Sequence, residues 1–506
     1  MSLAVLRSRA LAGMEALGVK VEVHLANGLP SFTIVGLADT EVRESKDRVR
    51  AALQNAGFEI PARRITINLA PADLPKESGR FDLPIALGIL AASGQIPGAQ
   101  LDRYEFAGEL SLSGQLRPIR GALAMTLAIQ RRRGRPRGFI LPLANADEAA
   151  LVTDAAIYPA ETLLQVCAHF AAADAGDQLT RHVQRTAPVR PEYPDFSDVK
   201  GQLRVKLALE VAAAGSHSVL LVGPPGAGKT MLAARFVGLL PCMSDEEALE
   251  AAAVQSLTGG FNAAGWKTRP YRSPHHTSSG VALVGGGSSP RPGEVSLAHG
   301  GVLFLDELPE YDRRVLEVLR EPMESGRITI SRAAQQADFP ARFQLIAAMN
   351  PCPCGYLGHP SGKCHCTSEA VLRYQDRISG PLLDRIDMHI EVAAVLPHTM
   401  SAEADGESSA VIAARVAYAA ERQLTRQGKA NRFLTTREID RHCKLDADGE
   451  RTLRNAMLQF HWSARTYHRV LRVARTIADL AGSKLVSDEN VGDAIQLRRG
   501  LRERQV

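Results

Sequence analysis

The stretch SVLLVGPPGAGKTML, residues 218–232, runs from an apolar strand through a glycine-rich turn into a helical stretch. Within it lies the spacing GxxxxGK[ST], in the strand–loop–helix context that a phosphate-binding loop requires. The glycines let backbone N–H groups face phosphates, the lysine reaches the terminal phosphates and the threonine can ligate Mg²⁺. This pattern predicts a site for ATP and Mg²⁺ formed by Gly223, Pro224, Pro225, Gly226, Ala227, Gly228, Lys229 and Thr230.

Two further apolar strands end in polar residues that such a site can use. In GGVLFLDELPE (300–310) the strand ends in Asp306 and Glu307. We expect Asp306 to hold Mg²⁺ through water and Glu307 to polarise the attacking water. In FQLIAAMNPCPCG (343–355) the strand ends in Asn350, which can orient that water against the γ-phosphate.

An arginine follows in GPLLDRIDMHIEV (380–392), where Arg385 lies on a short helix or turn before another strand. An arginine in this place can reach a phosphate bound by a neighbouring subunit, a contact worth about 10³–10⁵ in rate. Taken alone, Asn350 and Arg385 would fit a helix cap and a surface salt bridge. Their order in the chain favours the catalytic interpretation.

Four cysteines lie within fifteen residues and suggest a metal site. Four thiolates suit tetrahedral Zn²⁺, and four such ligands leave no open position, so the zinc would be structural. The CxC spacing is tighter than the usual CxxC, His359 and His365 are spare candidate ligands, and free thiols or redox pairs are the alternatives. The predicted zinc ligands are Cys352, Cys354, Cys364 and Cys366.

Composition places the chain among soluble globular proteins, with 45% hydrophobic and 23% charged residues, and excludes a wholly disordered or fibrous chain. No run of 18 apolar residues appears, and Arg7 and Arg9 interrupt the N-terminal stretch, so we expect no membrane span and no secretion signal. The sequence therefore predicts a cytoplasmic protein.

The pattern of strands, helices and polar stretches predicts an α/β protein in three segments. Residues 1–175 mix alternating strands with alanine-rich helices, 199–396 alternate as a parallel sheet does and contain the cysteine insertion 352–366, and 411–506 are helical. The linkers are 176–198 and 397–410. The last segment holds 19 Lys and Arg against 11 Asp and Glu, which fits a solvated helical surface or one that faces nucleic acid or another subunit.

The order of phosphate loop, acidic strand, Asn strand, DR turn and helical segment resembles the AAA+ ATPase superfamily over about 199–480. The resemblance implies a P-loop core with a parallel sheet and a helical lid. The stretch SARTYHRVLRVARTIADL (463–480) is similar to the sensor-2 helix of the magnesium-chelatase and replicative-helicase branch. By resemblance Arg465 contacts the γ-phosphate, across a subunit boundary, whereas the alternative is a basic amphipathic lid helix.

Three further stretches, residues 18–97, SPHHTSSGVALVGGG (273–287) and NPCPCGYLG (350–358), resemble the YifB/ComM family along the full length of the chain. The resemblance implies a homo-oligomer, a hexamer, that acts on single-stranded or branched DNA. It further implies a helicase for branch migration of recombination intermediates in natural transformation. A magnesium-chelatase motor subunit and an AAA+ chaperone or regulator are the alternatives.

The stretch 107–142 resembles the proteolytic domain of Lon, which pairs a serine nucleophile with a lysine base. Here Leu123 occupies the place of the lysine, and Ser78 is out of register. A nucleophile without its base is weak, so we expect a Lon-protease-like α+β fold that serves as scaffold or DNA contact rather than as peptidase. The basic run 131–137 fits either a phosphate contact or a solvated helix end.

Two loops of the middle segment are candidates for DNA contact. The stretch 269–287 carries Arg272, His275 and His276, and the hairpin-like 326–340 carries Arg327 and Arg332. In the related branch an insertion at the first position points into the channel of the ring, whereas the alternative is a polar loop without a ligand. Few aromatics occur in these loops, so backbone electrostatics would dominate and binding would depend strongly on salt.

Overall fold

The computed structural model describes most of the chain. Parts of the predicted linkers 176–198 and 397–410 lie outside the described residues, as do Arg332 of the second loop and Arg133 and Arg135 of the basic run. The described residues are 2–132, 134, 136–171, 175–183, 193–287, 290–331, 336–394 and 406–499.

The N-terminal part mixes strands and helices, as the alternation of apolar residues predicts. Its elements are β1 (Leu3–Ala12), β2 (Glu15–Ala26), β3 (Ser31–Val35), α1 (Thr40–Asn55), β4 (Arg64–Ala70), α2 (Asp82–Ser93), β5 (Tyr104–Phe106), β6 (Glu109–Leu110), β7 (Leu116–Arg117), α3 (Ala122–Gln130), β8 (Gly138–Pro142), α4 (Ala146–Ala149), β9 (Ile157–Ala160) and α5 (Leu163–Ala171).

The helix α2, which is apolar between Asp82 and Ser93, lies at the centre of this part and is buried on almost every side. It packs on a mixed sheet of order β1-β2-β4-β3, in which only β3 runs parallel to its neighbour. Gly88 allows the close approach, because a Cβ there would lie 2.5 Å from Val23 Cγ2. A second sheet, parallel and of order β5-β8-β9, completes this α+β region.

The middle part alternates strands and helices. Its elements are α6 (Leu203–Gly215), β10 (Val219–Val222), α7 (Lys229–Phe236), α8 (Asp245–Thr258), β11 (Tyr271–Arg272), α9 (Gly280–Val284), β12 (Gly285–Gly286), β13 (Arg291–Pro292), α10 (Glu294–Leu297), β14 (Val302–Leu305), α11 (Arg313–Val318), α12 (Arg320–Ser325), β15 (Arg327–Ser331), β16 (Gln336–Pro340), β17 (Gln344–Met349), α13 (Ser368–Gln375), α14 (Gly380–Leu383) and β18 (Met388–Glu391).

A parallel sheet of order β11-β14-β17-β10-β18 organises the middle part. The strands β10, β14 and β17 are buried throughout, which explains why their sequences are continuous apolar runs rather than alternating ones. Because all five strands run in one direction, the loops that follow them meet at one edge of the sheet. The chain is therefore an α/β protein, as predicted.

Residues 406–499 form helices, which pack on α6 and on the sheet in one hydrophobic core. Among them, α18 begins where the Ser463 side chain accepts a hydrogen bond from the Thr466 N–H. In the described part of the chain we find no helix with the length and apolar character needed to cross a bilayer. These helices are α15 (Ser409–Gln427), α16 (Thr436–His442), α17 (Ala447–Gln459), α18 (Ala464–Leu480) and α19 (Asp488–Arg498).

Candidate nucleotide site and cysteine cluster

The glycine-rich turn after β10 encloses the ammonium group of Lys229. Gly226 and Gly228 hold φ angles of +75° and +86°, a backbone conformation that other residues rarely adopt. The turn brings the carbonyl oxygens of Gly223 and Pro224 to 2.7 and 3.0 Å from Lys229 Nζ, which donates to both. Lys229 is thus a largely buried cation held by carbonyl dipoles, a group that an anionic phosphate would stabilise.

Lys229 and Thr230 meet polar residues at the ends of neighbouring strands. Lys229 Nζ donates to Asn350 Oδ1 at 3.1 Å, and Thr230 Oγ1 donates to Asp306 Oδ2 at 2.7 Å. Burial lowers the pKa of Lys229, and the nearby carboxylates of Asp306 and Glu307 oppose that shift. A hydroxyl and a carboxylate this close are suitable ligands for Mg²⁺ beside a bound phosphate.

Glu307 adopts a strained backbone conformation at the same edge. Its φ is +51°, and its N–H donates to Asp306 Oδ1 at 2.9 Å. Non-glycine residues held in this region cost on the order of 1–3 kcal/mol and cluster at functional sites. The Glu307 side chain is about half exposed, and one carboxylate oxygen lies 3.0 Å from His276 Nδ1.

The contact of His276 with Glu307 is the feature of the site that sequence reasoning missed, since it assigned His276 to DNA contact. His276 follows β11, an edge strand of two residues that is too short to show a pattern in the sequence, and β11 is parallel to β14 in the same sheet. The stretch after β11 therefore reaches the edge where Glu307 lies. Arg272 in the same stretch is engaged by Glu294, at 2.6 and 2.7 Å.

Arg385 lies at the opposite edge of the sheet from the phosphate loop of its own chain. It precedes β18, and the Met388 N–H at the start of that strand donates to the Ser218 carbonyl before β10. The Arg385 side chain is only 7% exposed, and it binds Glu324 at 2.8 Å and the Pro381 carbonyl at 2.7 Å. The structure therefore does not bring Arg385 to Lys229 within one chain.

Arg465 lies in the first turn of α18 and is exposed. Arg469, one turn later, donates to the Arg385 carbonyl at 3.0 Å and forms a short ion pair with Asp387. This turn of α18 is thus anchored beside Arg385, and Arg465 belongs to the same side of the molecule. Among the described residues Arg465 has no ion-pair or hydrogen-bond partner.

The four predicted zinc ligands lie together. Tetrahedral Zn²⁺ with Zn–S bonds of about 2.3 Å separates its sulfurs by about 3.8 Å. The Cys352 sulfur lies 3.4 Å from that of Cys354 and 3.8 Å from that of Cys364, and all four ligand atoms lie within 4.8 Å of one another. The spacing fits a tetrahedral S₄ site. His359 instead contacts Ser361 at 2.7 Å.

The N-terminal residues that the Lon resemblance singled out do not form a serine–lysine pair in the described structure. The Ser78 hydroxyl accepts a hydrogen bond from Arg80 Nε at 2.8 Å. The neighbouring Lys76 donates instead to the Pro71 carbonyl. Leu123 is fully buried and packs in a cluster with residues of α8.

Comparison with known proteins identifies the family to which the chain belongs. Three family models match: "Magnesium chelatase, subunit ChlI" over residues 195–400, "Subunit ChlI of Mg-chelatase" over 21–145, and "Magnesium chelatase, subunit ChlI C-terminal" over 406–498. The competence protein ComM of Haemophilus influenzae is 49% identical over 99% of this chain and 98% of its own length.

Two other relatives show how far the similarity extends. The YifB protein of Escherichia coli is 48% identical over 98% of this chain and 97% of its own length. The chloroplastic magnesium-chelatase subunit ChlI of Nicotiana tabacum is 28% identical over 41% of this chain and 49% of its own length. Full-length identity near one half, together with the three matching models, shows that the chain belongs to the YifB/ComM family of magnesium-chelatase-like AAA+ proteins.

Proposed function

We propose that this chain is an ATP-hydrolysing motor that assembles into a hexameric ring and acts on DNA. The observation that carries the proposal is the convergence of four side chains at one edge of the parallel sheet, where Lys229 Nζ lies 3.1 Å from Asn350 Oδ1 and Thr230 Oγ1 lies 2.7 Å from Asp306 Oδ2. These side chains come from three different strand ends. Family membership supports the assignment of the site to ATP.

Each residue has a role in hydrolysis. Lys229 exchanges its carbonyl partners for phosphate oxygens, and Thr230 and Asp306 would hold Mg²⁺, which neutralises charge on the phosphates. Glu307 accepts a proton from the attacking water, and Asn350 orients that water. His276 competes for the Glu307 carboxylate and must release it when the water is in place.

The ring arrangement accounts for the position of the two arginines. Arg385 and Arg465 lie on the side of the sheet away from the phosphate loop of their own chain. In a head-to-tail ring that side faces the phosphate loop of the next protomer, where Arg385 exchanges Glu324 for the γ-phosphate. The bound nucleotide then lies at the contact between two subunits.

Exposed positive charge on the C-terminal helices supports DNA as the partner. Many arginines of this part are bound internally, for example Arg415 by Glu210 and Arg426 by Asp479. Other exposed cations have no ion-pair or hydrogen-bond partner in the described part of the chain, and these are Arg437, Arg441, Lys444, Arg454 and Arg465. A surface of this kind attracts a phosphate backbone with little sequence preference. Similarity to the competence protein ComM supports natural transformation as the setting, and we propose branch migration of recombination intermediates as the activity in that setting.

We further propose that the cysteine cluster holds a structural zinc ion and that the N-terminal part is a Lon-like scaffold without peptidase activity. The S₄ spacing supports the zinc, and the separate partners of Ser78 and Lys76 support the loss of a catalytic pair.

A labelled four-way DNA junction tests the function. Purified protein with ATP should convert the junction to duplex products without any porphyrin-metabolising partner, and the Lys229→Ala variant should not. If the protein instead hydrolyses ATP but leaves the junction intact in every salt condition, an AAA+ chaperone or a magnesium-chelatase motor becomes the better assignment.

A further inference from the structure

The loop that carries the cysteines lies directly against the phosphate loop. Gly355, at φ +84°, faces Pro225, and a Cβ added to Gly355 would lie 2.6 Å from Pro225 Cδ and 3.8 Å from Asn350 Cγ. A real Cβ does not approach another heavy atom this closely. The two loops therefore touch with no space for a side chain between them.

This contact is local to Gly355. Further along the cysteine loop, residues 357–360 stand away from Gly223 and Pro224 across a cavity of about 590 Å³. A Cβ added at Gly358 would meet no atom within 4 Å, although Gly358 also has a positive φ of +76°. Gly355 thus contacts the phosphate loop, whereas Gly358, which has a similar positive φ, does not.

We propose that zinc bound by the four cysteines fixes the phosphate loop and Asn350 in the arrangement that binds ATP, so that ATP affinity depends on zinc occupancy. The inference deepens the proposed function and rests on the phosphate loop being the ATP site. The cysteines do not touch the nucleotide in this proposal, and they act as positioning residues.

The metal is the main source of order available to this loop. Residues 351–367 contain no helix or strand, and most side chains between Cys352 and Thr367 are exposed or half-exposed. With so little apolar burial, such a segment opens easily unless it is cross-linked. A structural zinc ion provides that cross-link.

Displacement of the cysteine loop would disturb the nucleotide site through two connections. Asn350 lies two residues before Cys352, and its amide oxygen is a partner of Lys229. Pro225 belongs to the phosphate loop itself and touches Gly355. Loss of the metal therefore loosens the Lys229 partner and one wall of the phosphate loop together.

The first experiment compares Gly355→Ala with Gly358→Ala in the full-length protein. Both changes place a side chain at a positive φ, so they carry similar backbone strain, but only alanine at 355 collides with Pro225. Gly355→Ala should keep its zinc and bind a fluorescent ATP analogue roughly tenfold more weakly, in keeping with the cost of a small misplacement. Gly358→Ala should keep both zinc and affinity.

A double-mutant cycle identifies the contact that transmits the effect. Pro225→Ala removes the ring atoms that the new methyl group meets. Because Pro225 belongs to the ATP-binding loop, the double variant is compared with Pro225→Ala alone, and Gly355→Ala should cost less ATP affinity in that background than in the parent. If the two single changes add without coupling, the contact does not transmit the effect.

The second experiment removes the metal. Zinc released by a thiol reagent should amount to one ion per chain, and Cys364→Ser or chelated protein that still shows a cooperative melting transition should lose ATP affinity in parallel. Folded, zinc-free protein that binds the analogue as tightly as the parent would overturn the inference, as would a parent that contains no zinc. If the parent binds ATP but does not hydrolyse it, the proposed function fails, whereas the dependence of binding on zinc still stands.

Discussion

Lys229 is the residue on which nucleotide binding depends most directly. Its ammonium group donates to the Gly223 and Pro224 carbonyls and to Asn350, and a bound phosphate would take over these bonds. Lys229→Ala should therefore weaken ATP binding by about 10²-fold or more and abolish turnover. The matched control is Lys267→Ala, at an exposed lysine paired with Asp245. Titration with a fluorescent ATP analogue measures both, and unchanged affinity in Lys229→Ala would contradict the site.

Glu307 separates ATP binding from hydrolysis. Its left-handed backbone and the hydrogen bond from its N–H to Asp306 place the carboxylate beside the phosphate loop. Glu307→Gln preserves shape but cannot accept the proton, so it should bind ATP, trap the assembled ring and hydrolyse about 10²–10⁴-fold more slowly. Glu310→Gln, at the carboxylate that pairs with Arg377, is the control. Hydrolysis by Glu307→Gln at the parent rate would show that its role is wrongly assigned.

Arg385 tests whether two protomers share one site. Arg385→Ala should leave ATP binding intact and remove turnover, because the phosphate loop is untouched while the neighbour loses its arginine. Mixing Arg385→Ala with Lys229→Ala subunits should restore part of the activity, since some interfaces then combine an intact phosphate loop with an intact arginine. A mixture that is as inactive as each variant alone would place Arg385 in a purely structural role. Arg373→Ala, at an exposed arginine on α13, is the control.

At the scale of elements, a buried network joins α18 to the starts of β10 and β18. Asp387 is almost fully buried and accepts hydrogen bonds from the Ser218 N–H and hydroxyl at 2.9 and 2.8 Å. Burial alone would raise the pKa of Asp387, but Arg469 and Arg432 outweigh it and hold that pKa below its usual value. The network fixes the turn that presents Arg385.

His217 makes this network sensitive to acid. Burial lowers the pKa of His217 to about 4, while Asp387 opposes that shift and Arg432, Arg472 and Arg469 add to it. The unfolded chain takes up the proton near pH 6.5, so the unfolded state binds more protons between about pH 6.5 and 4 and stability falls as pH decreases through that window. Asp387 stays ionised in the folded state, and its own contribution to stability is lost mainly below about pH 5, where the unfolded carboxyl takes up its proton.

Replacing His217 should therefore flatten the pH dependence of stability. His217→Gln keeps a hydrogen-bonding group near Thr476, 2.8 Å from His217 Nε2, and cannot titrate. We expect the free energy of unfolding of the parent to lose about 1 kcal/mol per pH unit more than that of the variant between pH 6.5 and 4. Denaturant unfolding at several pH values measures this difference, and parallel curves for parent and variant would contradict it.

At the scale of the molecule, the N-terminal part packs directly against the middle part of the chain, in addition to being joined to it by the linker. The Gly121 N–H donates to the Ser256 carbonyl of α8 at 3.0 Å, and Glu148 binds both the Leu123 N–H and the Ser256 hydroxyl. The turn between β1 and β2 reaches the β15–β16 hairpin, since a Cβ added at Gly13 would lie 3.0 Å from Ala337 Cβ. A movement of that hairpin would therefore disturb this contact with the N-terminal part.

The part of the nucleotide site that follows from the geometry of a parallel sheet could be predicted from the sequence. The apolar runs that lead into the phosphate loop, Asp306 and Asn350 have to meet where their parallel strands end, so this convergence could be predicted. The pairing of His276 with Glu307 depends on a two-residue edge strand, too short to give a pattern. The contact of Gly355 with Pro225 depends on the path of a loop without periodicity.

Turnover of ATP by the full-length protein, measured with and without branched DNA, decides whether the protein is a DNA-dependent motor. ATP should bring the subunits into a ring, branched DNA should raise the hydrolysis rate, and this increase should shrink as salt rises because backbone phosphates carry the interaction. A protein that stays monomeric with ATP and DNA both present, and whose hydrolysis rate no DNA alters, would contradict this function.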